Sequence, residues 1–240
     1  MTKYRINRFL ALCKVASRRK SEEIISAGKV TINKKVAVLS DTVDPETDRV
    51  VCDGKVLKVP QEHEYFILNK PGNVLSSASD DRGRKTVADF LPDGSTAVPV
   101  GRLDLDTTGV LLLMTDGELL YRLTHPSFGV KKRYRAVITG HFDEKQAEDI
   151  EKGIEIEGVL MKADKVTILN SFGNKATVEM TLTEGRKREV KQLVKAVGCR
   201  VWELHRTSFA GILCGKMAEG EIRPLNEFEI KGLKKLTGLN

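Results

Sequence analysis

Short apolar runs set the main constraint on what this chain can fold into. No apolar run exceeds five residues, and residues 110–114, near the middle of the chain, reach that length. A membrane-spanning helix needs about 18 consecutive apolar residues, so none is expected. Lys3, Arg5 and Arg8 interrupt the N-terminus before an apolar run can form, which argues against a signal peptide. We therefore expect a cytoplasmic, globular protein built from short elements.

From Tyr65 onward, most of these short apolar segments are typical of strands, and helices separate them at irregular intervals. Alternation of apolar and polar residues is clearest over 176–182. The predicted strands are 65–68, 97–100, 110–114, 133–138, 165–169, 176–182 and 201–205, and the predicted helices are 86–91, 118–124, 144–152, 189–197 and 226–236. Strands that outnumber helices without regular alternation predict an α+β fold with a mixed, mostly antiparallel sheet.

The net charge is concentrated at one end of the chain. The 240 residues include 40 basic and 33 acidic side chains, for a formal charge of +7. Residues 1–40 hold ten basic and two acidic side chains, or +8, so the remaining 200 residues carry −1. A basic module on a near-neutral body indicates a polyanionic partner such as nucleic acid.

The basic module has the pattern of two helices and a hairpin. Ile6, Phe9 and Leu10 recur at helical spacing, and Ser17 is placed to cap a second helix over 18–27. Two strands, 30–32 and 36–38, are predicted around a turn at 33–35. Cations crowd the first turn of the second helix, where the helix dipole disfavours each by a few tenths of a kcal/mol. A bound anion would remove that cost.

This order resembles the alpha-L module, a small RNA-binding domain first seen in a ribosomal small-subunit protein. The matching stretch is RINRFLALCKVASRRKSEEIISAGKVTINKKV. The resemblance implies binding of structured RNA through shape and phosphates. The expected RNA contacts are Arg18, Arg19, Lys20, Lys34 and Lys35. We assign residues 1–58 to this domain, 59–64 to a polar, proline-broken linker and 65–240 to a second domain.

The loop GRLDLDTTG, residues 101–109, places an arginine and two carboxylates between two apolar strands. Asp104 and Asp106 lie two residues apart, so they share a face of an extended chain. Paired acids suggest a glycosidase, although such acids must flank a sugar from opposite sides. An equally simple interpretation is that both aspartates cap turns with Thr107 and Thr108. The spacing alone leaves these alternatives open.

Metal and disulfide chemistry find no support in the sequence. The four cysteines are widely spaced without a C-x-x-C pair, and the four histidines show no metal-ligand spacing. We expect reduced thiols and no metal site.

The loop is one of several sequence motifs in this chain, and four others are named below in chain order. The segment VGRLDLDTTGVLLLMTDG resembles the signature of ribosomal-RNA pseudouridine synthases, in the RsuA/RluB branch. Other motifs of that family are Asn69-Lys70-Pro71-Gly72, Lys132-Arg133-Tyr134, the run EGRKREVK at 184–191, and Leu204-His205-Arg206. The resemblance covers essentially the whole chain, and it implies a synthase domain that isomerises uridine to pseudouridine on a flipped-out base.

The resemblance also implies roles for individual residues. Asp104 matches the family nucleophile, and Lys191 matches the cation beside it. Tyr134 matches the tyrosine that stacks on the target base, and Leu204 matches an apolar residue on the other side of the uracil. Arg102 is expected to hold a phosphate of the flipped nucleotide. A further backbone contact is expected from Lys70.

Isomerisation exchanges no electrons and needs no group donor, so no cofactor is implied. The expected partner is ribosomal RNA or a precursor of a ribosomal subunit, with large-subunit RNA favoured because the flanking segments look closer to the RluB branch, which acts on that RNA. We expect a monomer without membrane attachment. The alternative is a non-catalytic RNA-binding or ribosome-assembly factor on a synthase-like scaffold, which would have no need to keep Asp104, Tyr134 and Lys191 together.

Overall fold

The structure is a computed structural model that describes residues 3–59 and 62–239. The chain divides into two compact units, residues 1–63 and 64–240. Of the expected linker, Pro60 and Gln61 lie outside the described residues. None of the helices in the described ranges is long and apolar enough to cross a membrane.

The described residues of the first unit, 3–59 and 62–63, form two helices and six short strands. Its elements are β1 (Tyr4–Arg5), α1 (Ile6–Leu12), α2 (Arg18–Ser26), β2 (Val30–Ile32), β3 (Lys35–Val36), β4 (Thr42–Val43), β5 (Val50–Cys52) and β6 (Lys55–Val56). The strands form a four-stranded sheet in the order β3-β2-β5-β6 and a separate β1-β4 pair. Ser17 caps α2 as expected, because its hydroxyl accepts a hydrogen bond from the amide of Lys20. Ile6, Phe9 and Leu10 are buried, so the predicted helical stripe forms part of this unit's core.

The hairpin of the first unit is tighter than predicted. Ile32 pairs with Lys35, so the turn consists of Asn33 and Lys34 alone, and β3 ends at Val36. Both turn residues have positive φ, 49° and 71°. Such a two-residue turn matches the twist of the strands it joins, and asparagine tolerates positive φ well. The expected three-residue turn and the strand at 36–38 were therefore wrong.

The second unit is built on a nine-stranded sheet. The described strands of this unit, nine of which belong to the sheet, are β7 (Tyr65–Lys70), β8 (Val98–Pro99), β9 (Thr108–Met114), β10 (Lys132–Thr139), β11 (Ile154–Ile156), β12 (Val159–Met161), β13 (Lys165–Phe172), β14 (Lys175–Leu182), β15 (Arg200–Phe209), β16 (Ile212–Leu213) and β17 (Ile222–Pro224). Its helices are α3 (Gly117–Thr124), α4 (Glu144–Lys152), α5 (Glu189–Ala196) and α6 (Glu227–Leu236), with 3₁₀ turns at Val87–Phe90 and Pro126–Phe128.

The main path through the sheet runs β13-β14-β10-β15-β9-β7-β17, and β8 and β16 pair with β9 and β15; β11 and β12 form a hairpin apart from it. Neighbouring strands are antiparallel except β15 and β9, which meet in parallel. The structure therefore confirms the predicted α+β class with a mixed, mostly antiparallel sheet.

The five-residue apolar run lies in β9, at the centre of this sheet. Val110, Leu112 and Met114 face one core cluster with α3 and α6, while Leu111 and Leu113 face a second cluster on the opposite side. A strand buried on both faces needs apolar residues at every position, which explains the unbroken run. The loop that precedes β9 is thereby attached to a strand that is buried on both faces.

Candidate active site

Lys70 holds the loop at residues 101–107 in place by hydrogen bonds to its backbone. The Lys70 side chain is fully buried at the end of β7, and its ammonium donates hydrogen bonds to the carbonyls of Pro71, Leu105 and Thr107 at 2.9–3.2 Å. Burial lowers the pKa of Lys70 to about 8. The expectation that Lys70 contacts the RNA backbone does not hold, because the ammonium is buried and all three of its N–H groups are already donated to these carbonyls. Its contacts instead make it a loop anchor.

Two residues that follow Lys70 in the chain, Asn73 and Ser76, also form hydrogen bonds with the backbone of the loop. The hydroxyl of Ser76 accepts a hydrogen bond from the amide of Leu103 and donates one to its carbonyl, at 3.1 and 2.9 Å. The amide of Asn73 donates to the carbonyl of Leu105 at 2.9 Å. The segment from Lys70 to Ser76 therefore supports the loop on both sides of Asp104.

The loop joins β9 through Thr107, Thr108 and Gly109, and the surroundings constrain each of these residues in a different way. Thr107 is buried, and Oγ1 of Thr108 lies 2.8 Å from Nδ1 of His205. Gly109 has a φ of +104°, and a Cβ atom there would lie 2.3 Å from the carbonyl oxygen of Arg206. A residue with a side chain could not be accommodated without moving backbone, which accounts for the glycine of the motif.

Both carboxylates of the loop face one lysine of α5. Lys191 Nζ lies 3.3 Å from Oδ2 of Asp104 and 2.6 Å from Oδ1 of Asp106. The Asp104 side chain is 30% exposed and that of Asp106 is 71% exposed, so Asp104 is the more enclosed of the two. The hydrogen bond from Lys191 lowers the pKa of Asp106. The alternative of turn capping fails for Asp104, because its carboxylate is directed at Lys191 and the turn is closed by the backbone bond from Thr107 N to Asp104 O.

Lys191 reaches this position because of how α5 begins and packs. Arg188 precedes the helix in a left-handed conformation, and Glu189 in the first turn accepts a hydrogen bond from the amide of Arg186. Val190 and Val194 are buried against the sheet, which turns the intervening Lys191 toward the loop.

A pocket of about 130 Å³ lies beside Asp104. Tyr134 of β10 and Leu204 of β15 line it together with Asp104, and Arg102 lies at its exposed side. The structure therefore brings together Asp104, Tyr134 and Leu204, places Arg102 at the edge of the same pocket, and sets Lys191 against Asp104. No group of three or more His, Cys, Asp and Glu side chains that could hold a metal is found in the described part of the chain.

Several residues that line the pocket were given no role from the sequence, among them three charged side chains and one aromatic ring. Lys132, Arg206, Glu189 and Phe209 line the pocket, and Arg206 and Phe209 are almost completely buried. Two of them could have been predicted from strand alternation, because residues two apart on a strand share a face. Lys132 lies two residues before Tyr134, and Arg206 lies two residues after Leu204.

The predicted RNA contacts of the first unit are all on its surface. Arg18, Arg19 and Lys20 are exposed in the first turn of α2, and Lys34 and Lys35 are exposed at the hairpin. The first three have no ion-pair partner among the residues the structure describes. Their positive charge is therefore available to a polyanion.

A carboxylate and an aromatic ring in one pocket, in a chain that also carries an exposed basic module, are consistent with an enzyme that modifies RNA. Comparison with known proteins identifies which one. Residues 64–196 match the RNA pseudouridylate synthase family, and residues 5–50 match the S4 domain. The chain belongs to the RNA pseudouridylate synthase family and is an isomerase that acts on RNA, with an RNA-binding S4 domain at its N-terminal end.

Individual relatives resemble the chain over nearly its whole length. An RNA pseudouridine synthase of Aquifex aeolicus is 41% identical, covering 100% of this chain and 97% of the relative. The ribosomal large subunit pseudouridine synthase B of Bacillus subtilis is 37% identical, covering 97% and 96%. A crystal structure of a pseudouridylate synthase has a TM-score of 0.70 at 30% identity, covering 95% of this chain and 99% of that chain.

Proposed function

We propose that this enzyme isomerises a specific uridine of ribosomal RNA, and that the uridine lies in the RNA of the large subunit. The observation that carries the reaction is the position of Asp104, which lines one pocket with Tyr134 and Leu204 and lies 3.3 Å from Lys191. The choice of the large subunit is supported by the similarity to the synthase B of Bacillus subtilis along almost the entire chain.

The pocket suits a base taken out of folded RNA. Extruding a nucleotide costs a few kcal/mol, which the enzyme must recover inside the pocket. Stacking of a base on an aromatic ring contributes about 1–3 kcal/mol, enough to offset much of that cost. Tyr134 provides the ring, and Leu204, on the neighbouring strand, provides an apolar contact.

Asp104 is the proposed nucleophile. The carboxylate attacks C1′ of the ribose, and the bond from C1′ to N1 of the uracil breaks with its electron pair left on the ring. The ring then turns, C5 bonds to C1′ and displaces the carboxylate, and the ring loses the C5 proton while N1 gains one. Atoms and electrons balance within the nucleotide, so no cofactor is needed. Lys191 places a positive charge 3.3 Å from Oδ2 of this carboxylate.

RNA binding outside the pocket falls to exposed cations. We assign phosphate contacts to Arg18, Arg19, Lys20, Lys34 and Lys35 in the S4 domain, and to Arg102 at the pocket edge. We expect a monomer, which light scattering after size-exclusion chromatography can test.

Mapping pseudouridines in ribosomal RNA tests the proposal. Cells that lack the protein should lose one pseudouridine from large-subunit RNA, and the wild-type gene should restore it. The Asp104→Asn gene should not restore it, whereas Asp93→Asn, which alters an exposed aspartate outside the pocket, should restore it fully. Loss of a small-subunit pseudouridine would overturn the choice of subunit. An unchanged map would contradict a ribosomal substrate, and restoration by Asp104→Asn would contradict the nucleophile.

A further inference from the structure

Three charged side chains that line the pocket, Arg206, Glu189 and Lys132, have no role in the proposed reaction; together they are called the pocket floor. Arg206 and Glu189 are 2% and 5% exposed, and Lys132 is partly buried beside them. Arg206 pairs with Tyr134 across neighbouring strands, so the two side chains lie next to each other on one face of the sheet. All three side chains line the pocket.

Only some of the hydrogen-bond donors of the Arg206 guanidinium have a partner among the described residues. Its Nε donates a hydrogen bond to the carbonyl of Val110 at 2.7 Å, and its carbon lies 4.8 Å from the centre of the Phe209 ring. Its Nη2 is buried and has no hydrogen-bond partner among the described residues. A buried donor without a partner costs about 1–3 kcal/mol, more when it is charged, so a partner supplied by the substrate would recover that cost.

Two of these three side chains, Lys132 and Arg206, are cations, and the third, Glu189, is a carboxylate whose Oε2 already accepts from the amide of Arg186. Lys132 donates to the carbonyls of Val130 and Thr183, neither of which carries a charge. Burial lowers the pKa of Lys132 to about 8; repulsion from Arg206 adds to this effect, and attraction to Glu189, Asp164 and Glu184 opposes it. An electron-rich ligand would offset the repulsion between the two cations.

The target base supplies such a ligand during the reaction. When the bond between N1 and C1′ breaks, the electron pair left on the uracil is shared with the carbonyl oxygens O2 and O4. We propose that Nη2 of Arg206 donates a hydrogen bond to one of these oxygens and, with Lys132, stabilises the uracil anion as it leaves C1′. Arg206 is then a catalytic residue in addition to Asp104. This inference rests on the proposed isomerisation at Asp104.

Substitution of single atoms in the substrate tests the contact. The probe is a synthetic RNA stem-loop carrying the uridine found by the mapping above, with oxygen, 2-thio or 4-thio at that base. Sulfur accepts hydrogen bonds poorly, so the wild-type single-turnover rate should fall about tenfold or more with one of the two thio bases. Arg206→Lys keeps a charge but loses the fork of donors, and should show less than about a threefold effect from the same replacement.

Arg133→Lys is the matched control, because Arg133 lies on β10 as an exposed residue outside the pocket. It should respond to sulfur as the wild type does. Equal thio effects in wild type and Arg206→Lys would overturn the inference while leaving the function intact. Failure of the wild type to isomerise the unmodified stem-loop would instead count against the proposed function.

A second measurement avoids any dependence on how well the Arg206 variant folds. Asp104→Asn protein labelled with ¹⁵N-arginine keeps the pocket floor intact and stops turnover. The buried guanidinium resonance should shift on binding the uridine stem-loop, and should not shift with the same RNA abasic at the target position. The same spectrum with both RNAs would overturn the contact.

Discussion

The two units of this enzyme use positive charge in opposite ways. The S4 domain carries its cations on the surface, where Arg18, Arg19 and Lys20 are exposed. The synthase domain, which has almost no net charge, buries Lys70 and Arg206 and ties Lys191 to two carboxylates. Net charge therefore marks the region that attracts RNA and does not mark the region that reacts.

The difference follows from what each region does. Exposed cations act over about 8–10 Å at ordinary salt, tolerate small changes in geometry and bind any phosphate backbone. Buried cations have lost most of their hydration, so they are retained only where their hydrogen bonds are specific. They organise a loop or a pocket, and each works only at its own position. Substitutions in the two regions should therefore separate binding from catalysis.

The largest separation is expected from Asp104→Asn. The single-turnover rate should fall by about 1,000-fold or more, because asparagine cannot act as the nucleophile. The dissociation constant for RNA should change by less than about threefold, since the phosphate contacts are made elsewhere. Quench-flow kinetics and filter binding on one RNA measure both quantities. Residual activity above a thousandth of wild type would contradict the nucleophile assignment.

A smaller catalytic loss is expected from Lys70→Met, which preserves volume but removes three hydrogen bonds from the loop. A displacement of about 1 Å in a catalytic group can cost about 100-fold in rate, and we expect a loss of that order. RNA affinity should be unchanged. If Lys70 instead contacted phosphate, affinity and its salt dependence would fall while the rate at saturating RNA stayed the same.

The opposite pattern is expected when Arg18, Arg19 and Lys20 are all replaced by glutamine. RNA affinity at physiological salt should fall about tenfold, and the slope of log K against log salt should decrease by about 2, since each phosphate contact contributes about 0.7–0.9. The rate at saturating RNA should match wild type. Replacing Lys231, Lys234 and Lys235 of α6 by glutamine provides a control with the same change in charge, since Lys231 and Lys235 are exposed and Lys234 is partly exposed. Equal losses in both triple variants would mean that only net charge matters.

The smallest effect is expected from pH. Lys70 and Lys132 both have a pKa lowered to about 8 by burial, so kcat/KM should fall above about pH 8, by about tenfold at pH 9 for each of the two lysines whose charge is needed. The stability effect has the opposite sign: between pH 8 and 10.5 the unfolded chain binds more protons, so the unfolding free energy contributed by these lysines rises with pH. Rate profiles and urea unfolding at several pH values measure the two trends. A flat rate profile to pH 9.5 would show that neither charge is needed.

Local sequence patterns predicted elements whose ends depend on neighbouring residues. The helix over residues 144–152 was predicted with the bounds the structure shows, because Asp143 and Gln146 form a capping box and Gly153 follows the last turn. The hairpin of β11 and β12 was missed, although Glu157-Gly158 between alternating apolar residues is a turn signal. Its strands of three residues are too short for periodicity to stand out.

Residue roles were harder to predict than elements, because identical side chains act differently at different depths. Lys70 and Lys191 are both lysines in family motifs, yet one is sealed beneath the loop and the other contacts its carboxylates. Arg206 was visible only as part of a matching motif, and its unpaired Nη2 becomes evident once β15 is placed beside β10 and β9. Burial and pairing depend on residues distant in the chain, so no local pattern contains them.

The sequence by itself determined the class of fold, the basic RNA-binding end, and the motifs that carry Asp104, Tyr134 and Lys191. These depend on periodicity, charge and short-range spacing, which a chain displays before it folds. The tertiary structure was needed to show that Lys70 anchors the loop, that Lys191 is shared between Asp104 and Asp106, and that Nη2 of Arg206 has no hydrogen-bond partner among the described residues. Each of these depends on contacts between residues 35 to 96 apart in the chain, where packing rather than local preference chooses the partner.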